Sequence, residues 1–527
     1  MREHLPKIVI IALLVAIVGV PILLRPADGG ANAPDDAPRL VVYTPHNEQI
    51  RHEIEHAYND HRREQGLPEV VFDWRTPGGT SDIRKSILSQ YNKLIDAGEL
   101  ETKGIGVDLF FGGGDYDHGK IADGVKTKDD DGNETAYRIV MDPQIDQALF
   151  DAVFPDEVIG GEKLVERKTF NENGQAVEVV AWTGVTLSSF GIVYNNDALK
   201  ILGIDQPTTW SDLADPKLRG WVALADPGHS GSIAATFNTI LKREGWTRGW
   251  MTLRMVYANA RYFATSSDRV PVDVSRGDAA AGMCIDFYGR YQAGAVGKNR
   301  MGYADPIENG RSMTATTADP ITLLRGAPSP DLARAFIAWL LTPEAQSLWQ
   351  RAKSGADDGL TRPDKYELRR QPIRADLYTR DNRKSWVDQE LDPFPTAVPF
   401  PPGTPDYFGM VAPVTRAMAI DVHEDLVLAW EALAEARENK HPNLAEMEQA
   451  FFALPEALTL TWPDAALEQH WQAIHSDPDH PRHSEVVAVL AGFAQQLKAI
   501  GDLDAKRVRW RAFFRDNYRE VIRLGRE

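Results

Sequence analysis

From Arg39 onward the chain repeatedly sets a short run of β-branched or aromatic residues in front of a helical stretch, which confines it to an α/β architecture with a largely parallel sheet. Residues 40–43 (Leu-Val-Val-Tyr) read as a strand and 48–64 as the helix behind it; 70–74, 81–97 and 107–111 repeat the pattern. A further strand is expected at 189–194, and a second α/β set opens with 222–225 and 233–244 and closes at 280–286. Residues 318–324 look like a return strand leading into an amphipathic helix over 330–341. Two lobes with chain crossings follow: 39–125 with 300–415 as a discontinuous first lobe, and 191–299 as the second. Between them, 126–190 reads as a hairpin insertion and crossover, with polar turns at 128–133 and 171–174. The proline-rich stretch 391–409 reads as an extended strap, and periodicity over 422–437, 443–452, 485–500 and 505–524 makes 416–527 a helical extension.

Charge and cysteine usage remove several functions from consideration. Among 527 residues, 58 Lys and Arg stand against 76 Asp and Glu, a net charge of -18, so phosphate-backbone binding is disfavoured and no nucleic-acid partner is expected. Cys284 is the single cysteine, which excludes a disulfide framework and zinc sites built on several thiolates. It sits within an apolar strand pattern, as a buried inert thiol would. An unbroken apolar run, Ile8 to Leu24, is flanked by Arg2, Lys7 and Arg25, so residues 1–25 read as a signal anchor or signal peptide and 26–38 as a linker. Pro34 after Ala31-Asn32-Ala33 would hinder cleavage there, favouring an uncleaved membrane helix with the rest of the chain outside the cytoplasm.

His52-Glu53-Ile54-Glu55-His56 has the spacing of a zinc peptidase motif. At about 100° per residue, however, Ile50, Ile54, Ala57 and Tyr58 share one helix face and His52 and His56 point away from it, into solvent. Asp129-Asp130-Asp131-Gly132 resembles a calcium loop, but aligning the glycine puts Thr127 at the first ligand position and Arg138 where a bidentate Glu is needed, so a hairpin turn is the better reading.

Small polar residues gather at the carboxyl ends of the expected strands, just before helices. These turns are Thr44-Pro45-His46-Asn47, Thr76 to Asp82, Gly112-Gly113-Gly114-Asp115 and Pro227 to Ser232, with Thr265-Ser266-Ser267 as a fifth. Any one of them could merely cap its helix. In an open parallel sheet, several such turns converge on one crevice, where helix N-termini and close-approaching glycines hold anions without net positive charge.

The chain resembles the extracellular solute-binding proteins of ABC importers, in the branch that includes iron(III), thiamine and phosphorylated-sugar receptors. The resemblance rests on Val41 to His46, Asp108 to Gly114, Phe190 to Asn196, Pro207 to Leu213, Ala225-Asp226-Pro227 with Ser230-Gly231-Ser232, and Phe336 to Gln346, and spans roughly residues 40 to 380. It implies a two-lobed type II periplasmic binding protein fold, here with an added carboxy-terminal helical part and an amino-terminal membrane helix. It also implies a hinge-closing, monomeric, non-enzymatic receptor on the periplasmic or extracytoplasmic face that hands a small-molecule or metal-chelate solute to an ABC permease.

Ferric receptors of this family use an early His, a Glu after the third strand and two adjacent Tyr. Here His46 matches, the Glu position offers Gly113, and the tyrosine pair is Phe287-Tyr288, so iron(III) as cargo would rest on His46 and Tyr288 as metal ligands. The glycine and serine turns suit a phosphate, phosphonate or carboxylate instead, with Arg261, Arg290 and Lys85 as candidate counter-charges. The expected cleft residues are His46, Thr80, Ser81, Gly113, Gly114, Ser230, Gly231, Ser232, Ser267, Asp286 and Tyr288. Two alternatives remain: a membrane-anchored sensory or scaffolding ectodomain on the same fold, and a zinc hydrolase using His52, Glu53 and His56.

Overall fold

The computed structural model describes residues 37–128, 134–172, 175–355 and 361–527. In chain order, lobe 1 opens with β1 (Arg39–Tyr43), α1 (Glu48–Glu64), β2 (Val71–Arg75), α2 (Thr80–Asp96), β3 (Leu109–Phe111) and α3 (Asp115–Ala122). A long hairpin follows, β4 (Val165–Glu172) and β5 (Gln175–Ser188). Lobe 2 comprises β6 (Phe190–Asn195), β7 (Val222–Ala225), α4 (Gly231–Glu244), α5 (Trp246–Asn259), β8 (Ala260–Ala264), α6 (Arg269–Arg276), β9 (Ala281–Ile285), α7 (Asp286–Val296) and β10 (Met301–Ala304). The chain returns to lobe 1 through β11 (Thr317–Leu324), α8 (Pro330–Leu340) and α9 (Pro343–Leu348). The carboxy-terminal part holds α10 (Phe408–Met418), α11 (His423–Asn439), α12 (Leu444–Phe452), α13 (Ala465–His475), α14 (His483–Lys498) and α15 (Leu503–Leu524).

Both sheets are mixed rather than largely parallel. In lobe 1 the order is β2-β1-β3-β11-β5-β4; β1 runs parallel to β2 and β3, whereas β11, β5 and β4 pair antiparallel. In lobe 2 the order is β8-β7-β9-β6-β10, with β7 parallel to β8 and β9, and β6 antiparallel to β9 and β10. The antiparallel part arises because the chain crosses between lobes, at β5 to β6 and β10 to β11, and each crossing enters the next sheet against the direction of its neighbours. Two boundaries therefore move: residues 165–188 are not an insertion but the edge hairpin of lobe 1, and strand Met301–Ala304 belongs to lobe 2. The strands Val125–Lys128 and Glu134–Tyr137 do pair as a hairpin; the Asp129–Asn133 turn lies outside the described residues.

β11 is a central strand that carries Pro320, which cannot donate to a ladder, and β5 slips register between Gly184 and Thr186 opposite it. This irregularity leaves Asp319 buried at the strand's cleft end.

Lobe 1 has its own core around Val42, Ile54, Leu109, Phe111 and Phe336. The core of lobe 2 continues without a break into the carboxy-terminal helices, so Trp250, Tyr257, Trp430, Phe451 and Tyr518 belong to a single cluster. Polar side chains stitch the seam: Trp430 Nε1 donates to Asn259 Oδ1 at 2.9 Å, Trp246 Nε1 to the Leu458 carbonyl at 2.7 Å and Tyr518 Oη to the Met418 carbonyl at 2.9 Å. At about 1.5–3 kcal/mol for each large side chain taken out of water, this seam makes the extension part of lobe 2. No helix among the described residues is by itself long and apolar enough to cross a membrane, and the expected amino-terminal membrane helix, with most of its 26–38 linker, lies outside them.

Candidate ligand-binding cleft

The strand-end turns of the two lobes face each other across a cleft of about 360 Å³. From lobe 1 it is lined by His46, Thr80, Gly113, Gly114 and Asp319; from lobe 2 by Ser230, Gly231, Ser232, Ser267 and Tyr288. Five helices begin at this cleft. α2 and α3 have glycine N-caps, Gly79 and Gly114, with no cap side chain to accept from their first turns; in α2 Asp82 N turns back to the Gly79 carbonyl at 2.9 Å. α4 is capped by Ser230, whose hydroxyl accepts from Ile233 N at 3.4 Å. α6 and α7 have no side-chain cap.

The glycines are needed for close approaches, between the lobes at Gly79 and Gly231 and within lobe 1 at Gly113. A Cβ on Gly79 would lie 2.1 Å from the His229 carbonyl oxygen of lobe 2, and one on Gly113, at φ +113°, would lie 2.2 Å from Thr80 Cγ2. A Cβ already overlaps its surroundings at Gly231, 2.9 Å from Asp117 Oδ2 of lobe 1. His229 Nδ1 lies 3.5 Å from Asp82 Oδ2 across the same side.

The walls differ in chemistry. On lobe 1, His46 Nε2 lies 3.0 Å from Asp319 Oδ2 and 3.1 Å from Arg370 Nη1, Arg370 also pairs with Asp319, and Gly113 N donates to Asp319 Oδ1 at 2.7 Å. Burial holds the His46 ring below its ordinary pKa, so it is neutral, and its Nδ1 is buried without a partner. Despite burial, the Arg370 and His46 partners hold the Asp319 carboxyl well below the usual carboxylate range. Arg370 stacks on Phe287 at 4.2 Å. On lobe 2 the wall is uncharged: Ser230 Oγ and Ser232 Oγ are 3.2 Å apart, and Ser232 Oγ and Ser267 Oγ are 2.8 Å apart, with Thr265 and Ser266 beside them. A hydroxyl chain of this kind can turn its protons toward an incoming acceptor.

Two expected cleft residues lie elsewhere. Ser81 is on the second position of α2 and faces Asp117 and the adjoining groove under α10. Asp286 opens α7, but its carboxylate turns to the hinge, accepting from Arg290 Nη1 at 2.7 Å and Gln371 Nε2 at 2.6 Å. Its N–H donates to the Ser189 carbonyl at 2.9 Å, at the β5–β6 crossing, so Asp286 ties the lobes together behind the cleft. The candidate counter-charges are also committed: Arg290 to Asp286 and Asp305, Lys85 to Asp82 at 3.6 Å, and Arg261 to the Asp278 carbonyl at 2.5 Å.

Iron ligation by His46 and Tyr288 does not fit. His46 Nε2 is engaged by Asp319 and by the Arg370 guanidinium, and that guanidinium repels a trivalent cation. Among the described residues, no three His, Cys, Asp or Glu side chains are grouped to hold a metal. The peptidase motif is likewise structural. His52 pairs with Asp364 at 2.9 Å and His56 with Asp60 at 3.3 Å, while the buried Glu53 accepts from the backbone N–H groups of Asp364, Lys365 and Tyr366. Cys284 is buried, which pushes its thiol up.

Sequence reasoning missed Asp319, Arg370 and Phe408. A charged residue inside the apolar run 318–324 was a visible signal for Asp319; Arg370 lies in irregular chain, and Phe408 opens α10 of the carboxy-terminal part, inside the stretch expected as an extended strap.

Residues 163–372 match the model of the bacterial extracellular solute-binding protein family. A phosphoglycerate transport regulatory protein of Salmonella typhimurium is 26% identical over 178 residues, 32% of this chain and 41% of that protein. An uncharacterized protein of Haemophilus influenzae is 27% identical over 217 residues, 41% of this chain and 60% of the relative. The matches thus span about half the length of these curated relatives. Among solved structures, the periplasmic binding protein AfuA of Actinobacillus pleuropneumoniae, with fructose-6-phosphate bound, aligns with a TM-score of 0.49 at 15% identity over 76% of this chain and 99% of that one. Iron-bound HitA of Pseudomonas aeruginosa aligns at 0.45 and 16% over 69% and 92%. That family match covers β4, β5, the whole of lobe 2 and the return through β11.

Proposed function

We propose that this protein captures a small organic anion, a phosphate or phosphonate ester, between its lobes outside the cytoplasm and delivers it to an ABC permease. The observation that carries this reading is the cleft's donor set: the glycine-capped first turns of α2 and α3 and the Ser230-Ser232-Ser267 hydroxyl chain all meet one 360 Å³ space. Donors without a fixed cation suit a group that brings its own charge, since dipoles and hydroxyls stabilise an anion without first having to break an ion pair. The relative named for phosphoglycerate transport is consistent with that chemistry. No residue of the cleft is given a bond-breaking role, so the protein is read as a receptor and not an enzyme. His46, Thr80, Gly113, Gly114, Ser230, Gly231, Ser232, Ser267 and Tyr288 are proposed as ligand contacts.

A thermal-shift panel of phosphate monoesters, phosphonates, thiamine and ferric chelates tests the reading. A ligand at 100 times its dissociation constant stabilises the folded state by about 2.7 kcal/mol. A shift with phosphate or phosphonate esters is expected; a shift with ferric chelates alone would refute it. The sensory or scaffolding alternative is favoured by the extension's fusion to lobe 2, which would carry a closure signal to another protein. It predicts the same ligand but retention of function when the permease is deleted.

A further inference from the structure

The cleft does not end at the serine wall. A second cavity of about 500 Å³ adjoins it, and Asp115, Phe190, Ala235, Thr317 and Phe408 line both. Phe408 comes from the carboxy-terminal extension and stacks on Tyr116 of lobe 1, ring centroids 3.9 Å apart, so the partition between the two spaces is built by an element outside the two lobes. The second cavity is lined mostly by paired charges: Lys242 pairs with Glu162 at 2.9 Å, Lys168 with Asp123 at 2.7 Å, Lys163 with Glu166 at 2.5 Å and Lys120 with Asp123 at 3.8 Å, while Asp406 accepts from Asn238 Nδ2 at 2.8 Å. Asp115 stands at the junction without such a partner. An aspartate in a first helical turn is ordinary as a dipole stabiliser, but this one also faces the acidic side chains of Glu162 and Asp406, with Lys242 as the compensating charge in reach. Burial and those two carboxylates push its pKa up to about 6. An acceptor held in that setting is satisfied by a neutral or cationic donor and disfavours another anion.

We propose that Asp115 and Phe408 form a selectivity subsite: the solute carries hydrogen-bond donors and no second negative charge at the end opposite its anionic group, that end is received by Asp115, and a longer body passes Phe408 into the second cavity. This rests on the anion-binding reading of the cleft. It gives the carboxy-terminal extension a direct part in choosing the ligand.

Calorimetric titration of the full chain with inorganic phosphate, glycerol 3-phosphate, 3-phosphoglycerate and sorbitol 6-phosphate tests it. Glycerol 3-phosphate should bind about tenfold more tightly than 3-phosphoglycerate, the discrimination expected from one hydrogen bond to a charged group, and Asp115→Asn should bring the two within about threefold. Phe408→Trp should weaken sorbitol 6-phosphate about tenfold more than it weakens glycerol 3-phosphate, as a narrowed passage requires. Equal binding of the two three-carbon esters to the wild type, or a ratio unmoved by Asp115→Asn, would overturn the proposal while binding of inorganic phosphate left the cleft reading standing. Failure of all four probes to bind would overturn both.

Discussion

The two walls of the cleft solve the same task with opposite chemistry. Lobe 1 presents a closed ionic network in which His46, Asp319, Arg370 and the Gly113 N–H are already partnered, whereas lobe 2 presents serine hydroxyls that bond mainly to one another. Buried charges hold position rigidly because losing any partner is costly, and neutral hydroxyls reorient cheaply. Lobe 1 is therefore the rigid wall of the cleft and lobe 2 the one whose donors can reorient. A second contrast runs the other way. Lobe 1 compensates its buried Asp319 fully, while lobe 2, stiffened by the helical extension in its core, buries Glu244 against only the Thr252 hydroxyl at 2.6 Å and a distant Arg248 at 3.7 Å.

The largest effect should come from breaking the network. Arg370→Leu strands the Asp319 charge in a fully buried site and should cost about 3–5 kcal/mol in chemical denaturation. A loss below 1 kcal/mol would show that lobe 1 is no more rigidly held than lobe 2. Next is the approach of the lobes. Gly79 has φ −70° and ψ 172°, which alanine adopts freely, so Gly79→Ala acts only by pressing its methyl against the His229 carbonyl. Ligand affinity should fall at least about tenfold, with a larger radius of gyration in solution scattering and less than about 1 kcal/mol change in stability. An unchanged affinity would mean that closure does not bring Gly79 and His229 together.

Glu244 sharpens the second contrast through pH. Burial raises its pKa from 4.5 to about 7, so the folded state binds more protons than the unfolded state between those values, and stability contributed by the neutral acid is lost as pH rises through that window. Glu244→Gln should therefore stabilise the protein by on the order of 1 kcal/mol at pH 8 and have little effect at pH 4.5. Equal effects at both would contradict the uncompensated burial. The smallest change is expected for Ser232→Ala, which removes one link of the hydroxyl chain and should cost about 0.5–1 kcal/mol, measured by the same denaturation.

Much of this was legible in the sequence, for identifiable reasons. The β-α alternation located α1 at Glu48–Glu64 because its apolar spacing and the Asn47 cap agree, and the turns before α2, α3 and α4 marked the cleft because helix starts need small polar residues. Antiparallel pairing was not legible: strand direction is set by where the crossings re-enter a sheet, which no local pattern encodes. Asp286 looked like a cleft residue for the same reason that Ser230 is one, its place at a helix start; only the hinge partners Arg290 and Gln371, distant in sequence, turn it away. Helix Ala465–His475 was not read from the sequence, although Leu467, Trp471 and Ile474 recur at helical spacing behind the Asp464 cap. Arg370 escaped because its role depends on contacts more than fifty residues away in sequence.

Whether uncharged donors hold an anion between the lobes is tested by calorimetric titration of a single phosphate monoester into the wild-type chain and Ser232→Asp. The substitution keeps the side chain small and puts a negative charge at the middle of the hydroxyl chain. The account predicts binding to the wild type and at least about a hundredfold loss in the variant, as expected for like charges brought close in a water-poor site. Equal affinity for both chains would contradict it.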